Sequence, residues 1–131
     1  MTTPLWCLFI AVLIPYVLAF TGTSFRRRQL GSVDNHNPRQ QVLQLTGAGA
    51  RCYAAQQNAW EALAVFTAAV ATAHLAGADA SDAARAAQIF IAARVVHAIA
   101  YLADQDKLRG IAFIVGLGCC ISLFVLAARA V

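Results

Sequence analysis

The sequence predicts an all-α integral membrane protein, a single four-helix bundle, from three observations. The 131 residues are 60% hydrophobic and only 12% charged, whereas a soluble domain carries roughly 25% charged residues. The apolar residues fall into four runs, each close to the roughly 20 residues that a helix needs to cross the hydrocarbon core. The basic residues gather in and beside two of the connections between those runs. Together these features exclude a disordered chain, a secreted disulfide scaffold and a soluble Rossmann or TIM architecture. The expected domain is 1–131, with helices near 3–24, 50–76, 83–103 and 110–131 and a long polar loop over 25–49.

The first run, Thr3 to Ser24, carries no charge. It starts too near Met1 for a basic n-region, and Arg26, Arg27 and Arg28 follow it, which fits a membrane helix with an exported N-terminus better than a cleaved signal peptide. Pro15 within it is expected to kink it, which bilayer helices tolerate when neighbours satisfy the freed carbonyl. The polar segment that follows holds Asp34, Asn35 and Asn37 ahead of Pro38, a pattern of Asx-type turn chemistry. The second run, Cys52 to about Ala76, has Glu61 as its formal charge. A turn through Gly77, Ala78 and Asp79 leads to the third run, with Ser81 or Asp82 as the expected N-cap. That third run, Ala83 to Ala103, contains Arg85 near its start and Arg94 in its middle. A short polar connection, 104–110, leads to the fourth run, Ile111 to Val131.

Four crossings place the first and third connections on one side and both termini on the other. Seven of the ten lysines and arginines then share the first side: Arg26, Arg27, Arg28, Arg39, Arg51, Lys107 and Arg109. Arg85 and Arg129 fall on the other, and Arg94 lies at membrane depth. The positive-inside bias puts loops 25–49 and 104–110 in the cytoplasm and exports the termini. The net charge of +4 is therefore topological, and nucleic acid is not an expected partner. The cysteines, Cys7, Cys52, Cys119 and Cys120, show no metal-ligand spacing and read as small hydrophobes. The chain holds 29 alanines, and small residues let membrane helices approach closely, so tight packing and self-association are expected.

Ionisable side chains at membrane depth are costly and tend to be functional. In the second helix Arg51, Ala54, Asn58 and Glu61 follow steps of three and four and share one face. In the third, Arg94, His97 and Tyr101 do the same. Two polar stripes with charges of opposite sign are unsuited to lipid. Their bland reading is a buried Glu61–Arg94 pair that fixes helix register; their sharper one is a polar cavity with a site beside it.

The string Arg51-Cys-Tyr-Ala-Ala-Gln-Gln-Asn58-Ala-Trp-Glu61 resembles the second-helix signature R-A-x-x-N-x-x-E of the membrane-associated proteins in eicosanoid and glutathione metabolism. Ala93-Arg94-Val-Val-His97-Ala-Ile-Ala-Tyr101-Leu is similar to the third helix of that family's prostaglandin E synthase branch, and Asp34-Asn-His-Asn-Pro-Arg39 to a loop of its small bacterial members. The resemblance covers essentially the whole chain. It implies a four-helix homotrimer in the bacterial inner membrane with periplasmic termini. It also implies glutathione bound between neighbouring subunits and a lipophilic electrophile as second substrate. Carried over residue by residue, Asn58 and Glu61 match the residues that hold glutathione. Arg94, His97 and Tyr101 match those lining the same site, and Arg109 is the nearest match to the arginine that stabilises the glutathione thiolate. A thiol with a pKa near 8.5 needs such a cation to ionise at neutral pH, and two carboxylates call for arginines. The sequence departs from the pattern at Ala54, where the signature has arginine, at Gln57, where the prostaglandin branch has a second arginine, and at Ala62 and Ala64. Tyr101 and Arg109 also differ in spacing by about one residue from catalytic relatives. Arg51, one turn before Ala54, is the candidate to replace the missing cation.

Two other functions fit the same residues. One is a non-catalytic trimer that keeps Asn58, Glu61 and Arg94 for assembly and binds no thiol. The other is a small multidrug-type transporter, which also has four short helices and a membrane glutamate. A Glu61 neutralised by a cationic partner would not be free to exchange protons, which weighs against it.

Overall fold

The computed structural model describes residues 1–130; the end of the expected fourth helix, Val131, lies outside them. The chain is all-α, with helices α1 (Thr3–Leu30), α2 (Pro38–Val42), α3 (Gly47–Leu75), α4 (Ala80–Leu102) and α5 (Asp106–Ala130). Three of them, α1, α4 and α5, are long and apolar enough to cross a membrane. The longest, α3 at 29 residues, is more polar because Arg51, Gln56, Gln57, Asn58, Glu61 and His74 interrupt it. The main packed pairs are α4 with α5 and α1 with α3, and α3 also contacts α4 and α5.

Four helix ends run past their apolar runs, the C-terminus of α1 and the N-termini of α3, α4 and α5, whereas α3 and α4 end within a residue of the expectation. At about 1.5 Å per residue, the 28 residues of α1 span about 42 Å, more than the roughly 30 Å hydrocarbon core. Arg26, Arg27 and Arg28 thus ride on the helix and do not open a loop. The helix stops at Gly31, whose φ of 79° lies in the left-handed region that glycine occupies without steric cost. Its N–H donates back to the Arg27 carbonyl at 3.1 Å. Pro15 lies fully buried inside α1, which continues through it as one element.

At the far end, the N-cap of α4 is Asp79 and not Ser81 or Asp82. Its Oδ1 accepts from the Asp82 N–H at 2.9 Å, and Asp82 pairs instead with Arg85 one turn on. The helix therefore begins at Ala80, three residues before its apolar run. Likewise the expected loop 104–110 contracts to residues 103–105, because Asp106, Lys107 and Arg109 form the first turn of α5.

The segment between α1 and α3 is held by two glutamines. Gln29 and Thr46 exchange hydrogen bonds, Nε2 to the Thr46 carbonyl at 3.1 Å and the Thr46 N–H to Oε1 at 3.0 Å, tying the end of α1 to the start of α3. Gly49 lets these segments meet: a Cβ there would lie 3.0 Å from Gln29 Nε2 and 3.3 Å from Phe25 Cβ. Gln41, buried at 7% exposure, accepts from Arg26 Nε at 2.6 Å and the Asp34 N–H at 2.9 Å, and donates to the Ser32 carbonyl at 2.9 Å. The Asx turn expected at Asp34 forms, its Oδ1 accepting from the N–H groups of His36 and Asn37. Gln41→Ala strands all three partners, at about 1–3 kcal/mol for each group left buried and unpaired. Its expected result is faster amide hydrogen exchange over residues 31–46 with α4 and α5 unaffected; unchanged protection of the segment would contradict the role given to Gln41.

Candidate functional site

The polar stripe read from the sequence lies on α4. Arg94 and His97 are 4% and 3% exposed, and Tyr101, one turn on, is half-buried. A buried guanidinium needs a partner, and Arg94 Nη2 donates to Asn58 Oδ1 at 2.7 Å, bridging α4 to α3. Its side chain lies over Gly116 of α5, where a methyl group would touch Arg94 Cδ at 3.7 Å. His97 packs edge-on against Tyr101, with ring centroids 5.5 Å apart and planes at 69°. Its Nδ1 is buried without a hydrogen-bond partner.

Arg109 completes the row from α5. The hairpin from α4 to α5 places Tyr101 four residues before Gln105 and Arg109 four after it, and the two side chains meet across the turn. The guanidinium carbon of Arg109 lies 4.4 Å from the Tyr101 ring centroid, well inside cation–π range.

Two expectations are corrected. The Glu61–Arg94 ion pair does not form: among the described residues the ion pairs are Arg51–Asp104 and Arg85–Asp82. Asn58 takes the guanidinium, and Glu61, one turn further along α3, is exposed while still bordering the same cavity. Arg51 does not turn toward the space left by Ala54. Its Nη1 lies 3.3 Å from Asp104 Oδ2, and Nη2 donates to the Leu102 carbonyl at 3.4 Å. Arg51 therefore ties the start of α3 to the end of α4.

Asp104 was not singled out from the sequence. It has a φ of 60°, in the left-handed region that asparagine, aspartate and glycine enter most readily, and follows the C-cap Ala103. A short-range signal exists in its place between an apolar run and the next helix, but its pairing with Arg51 spans more than fifty residues. Phe90, Phe113 and Cys120 are further residues that the sequence did not mark. With Asn58, Glu61 and Arg94 they line a cavity of about 190 Å³ between α3, α4 and α5. A larger cavity of about 510 Å³ lies between α1, α2 and α3, walled by Arg26, Arg39, Tyr53, Gln56, Gln57 and Trp60. It has two cations and no acid in its wall.

Long apolar helices closed around a buried arginine and histidine, with a half-buried asparagine beside them, define an α-helical integral membrane protein with a polar site inside it. The chain belongs to the MAPEG family, which it matches over residues 3–129. Nothing matches it among the curated proteins or among the solved structures.

Proposed function

We propose that the protein is a glutathione-dependent membrane enzyme, a transferase, peroxidase or isomerase acting on lipophilic electrophiles, close to the prostaglandin E synthase branch of its family. The observation that carries this reading is that Arg109 on Tyr101, Tyr101 on His97, and Arg94 on Asn58, one turn from His97 along the same face of α4, bring polar groups of three helices together. The chemistry of these groups fits the tripeptide. Arg109 and Arg94 suit its carboxylates or its thiolate, Glu61 suits its ammonium, and the Asn58 amide and the unpartnered His97 Nδ1 suit its peptide groups. Glutathione supplies the nucleophilic thiol. Arg109, whose guanidinium stays charged in proteins, would hold that sulfur as the thiolate, while Phe90 and Phe113 give the cavity beside Arg94 an apolar wall for a lipophilic partner.

The same reading includes a homotrimer. The cavity beside Arg94, at about 190 Å³, is smaller than the roughly 300–1,000 Å³ of a small-molecule site, so a single chain offers part of one. A carboxylate such as Glu61, exposed on α3, is costly against lipid and is covered when a neighbouring copy packs there. The wall containing Arg26 and Arg39 offers that copy's contribution to an anionic ligand. Four crossings, α3 included, with both termini periplasmic in a bacterial inner membrane, accord with the seven-to-two bias of basic residues.

A non-catalytic trimer is the second reading, favoured by the Arg94–Asn58 hydrogen bond, which is satisfied within one chain, and by the engagement of Arg51 with Asp104 in place of a ligand. Glutathione titration of the purified protein in detergent separates the two. A ligand that binds only the folded state adds about 2.7 kcal/mol at a hundredfold excess over its Kd. The expected result is a concentration-dependent rise in Tm with thiolate absorbance near neutral pH. A flat Tm and no thiolate signal would leave the non-catalytic reading.

A further inference from the structure

We infer that Tyr101 serves this site through its ring and not its hydroxyl: it is a positioning residue that holds Arg109 by its flat face and leaves the guanidinium edge free. The inference rests on the proposed function for its substrate but on the structure for its geometry. Among the described residues, the arginine side-chain hydrogen bonds and ion pairs belong to Arg26, Arg51, Arg85 and Arg94. Arg109 has none, yet it is half-buried where its neighbours from Ala103 to Leu108 are exposed. What fixes it is Tyr101, over whose ring the guanidinium carbon sits at 4.4 Å. That ring is itself braced edge-on by His97, which is buried on α4.

This mode of attachment has a chemical consequence. A bidentate carboxylate partner would consume two of the five guanidinium N–H groups and cancel the charge, and even the single contact of Asp104 with Arg51 at 3.3 Å sets a counter-charge beside that guanidinium. An aromatic face attracts the cation through its quadrupole and occupies no donor. Arg109 is thus located and still offers its full fork to an anion. The short hairpin makes this arrangement available, since Tyr101 and Arg109 stand equally far from Gln105 on antiparallel helices. Lipid anchoring of Arg109 at the interface would instead engage its donors with headgroup oxygens, and it would not require an aromatic residue at position 101.

Tyr101→Phe, Tyr101→Leu and Arg109→Lys separate these roles, each checked for intact assembly by size exclusion. The first readout needs no glutathione: the rate at which phenylglyoxal modifies Arg109, followed by mass spectrometry. Tyr101→Phe is expected to match the wild type, and Tyr101→Leu to react about three- to tenfold faster, the range that a partly desolvated cation–π contact corresponds to. The second readout is the pH profile of the bound glutathione thiolate. Tyr101→Phe should keep the wild-type midpoint, whereas Tyr101→Leu and Arg109→Lys, whose ammonium has no flat face, should both move it upward. If Tyr101→Phe shifts the midpoint as far as Tyr101→Leu, the hydroxyl is the working group and the inference is overturned. Equal labelling rates in Tyr101→Leu and wild type would overturn it as well. A wild type that forms no thiolate defeats the functional reading, and the labelling comparison then decides the role of the ring alone.

Discussion

On the proposed glutathione-dependent reading, Arg109→Ala is expected to raise the pH at which bound glutathione ionises by about two to three units while leaving the proposed oligomer assembled. A cation beside a thiol favours the charged form and lowers its pKa, so its removal moves the midpoint up. A preorganised group aimed at a developing anion is typically worth about 2.7–4 kcal/mol, and one pKa unit corresponds to about 1.36 kcal/mol. The conversion gives a shift of about two to three units. At pH 7 the thiolate absorbance of the variant should then fall nearly to that of free glutathione. The fold should survive, because Arg109 has no hydrogen bond to lose among the described residues and sits in the first turn of α5 beside a short hairpin. Unchanged ionisation in this variant would reassign Arg109 to the interfacial anchoring of the hairpin, the simpler role its neighbour Lys107 suggests.

The same contrast between local and distant partners explains what was legible in the sequence. Periodicity placed Arg94, His97 and Tyr101 on one face of α4, because a helix alone fixes that relation. The Asx turn at Asp34 was legible because its acceptor and donors lie within three residues. The partner of Arg94 was not. Asn58 and Glu61 occupy the same α3 stripe, and choosing between them depends on how far α3 and α4 slide along one another, which the packing of Phe66 on Phe90, with ring centroids 3.8 Å apart, helps to set. Opposite charge favoured Glu61; the observed register gives Asn58. Arg51 followed similar logic: its own helix suggested the gap at Ala54, whereas the structure presents it with Asp104 from another turn. Helix ends were misplaced because hydropathy marks where the bilayer core ends, not where backbone hydrogen bonding does. The polar turns bearing Arg26 to Arg28 and Asp106 to Arg109 are helix lying beyond the apolar runs.

The choice of Asn58 over Glu61 predicts a definite pattern of energetic coupling. Asn58→Ala leaves the buried Arg94 guanidinium without its acceptor, and Arg94→Met leaves the Asn58 amide without its charged donor. A hydrogen bond to a charged group is worth about 1.5–3 kcal/mol in soluble proteins, while interhelical bonds measured within membranes average about 0.6 and reach about 1.7 kcal/mol. The guanidinium is charged and nearly inaccessible, so the coupling should lie near the upper membrane value, about 1–2 kcal/mol. The double variant is therefore expected to lose that much less stability than the two single variants combined. Glu61→Gln combined with Arg94→Met should show the weaker coupling of the two, because Glu61 borders the same cavity as Arg94 but shares no hydrogen bond with it. Unfolding in detergent at one fixed protein concentration measures both cycles, the fixed concentration being needed because the stability of the proposed oligomer would vary with it. A coupling near zero for Asn58 with Arg94, or a larger one for Glu61 with Arg94, would refute the register described for α3 and α4. The expected result instead identifies a neutral amide as the acceptor of the buried cation and leaves the Glu61 carboxylate, on the outer face of α3, available to a neighbouring subunit or to a ligand's ammonium.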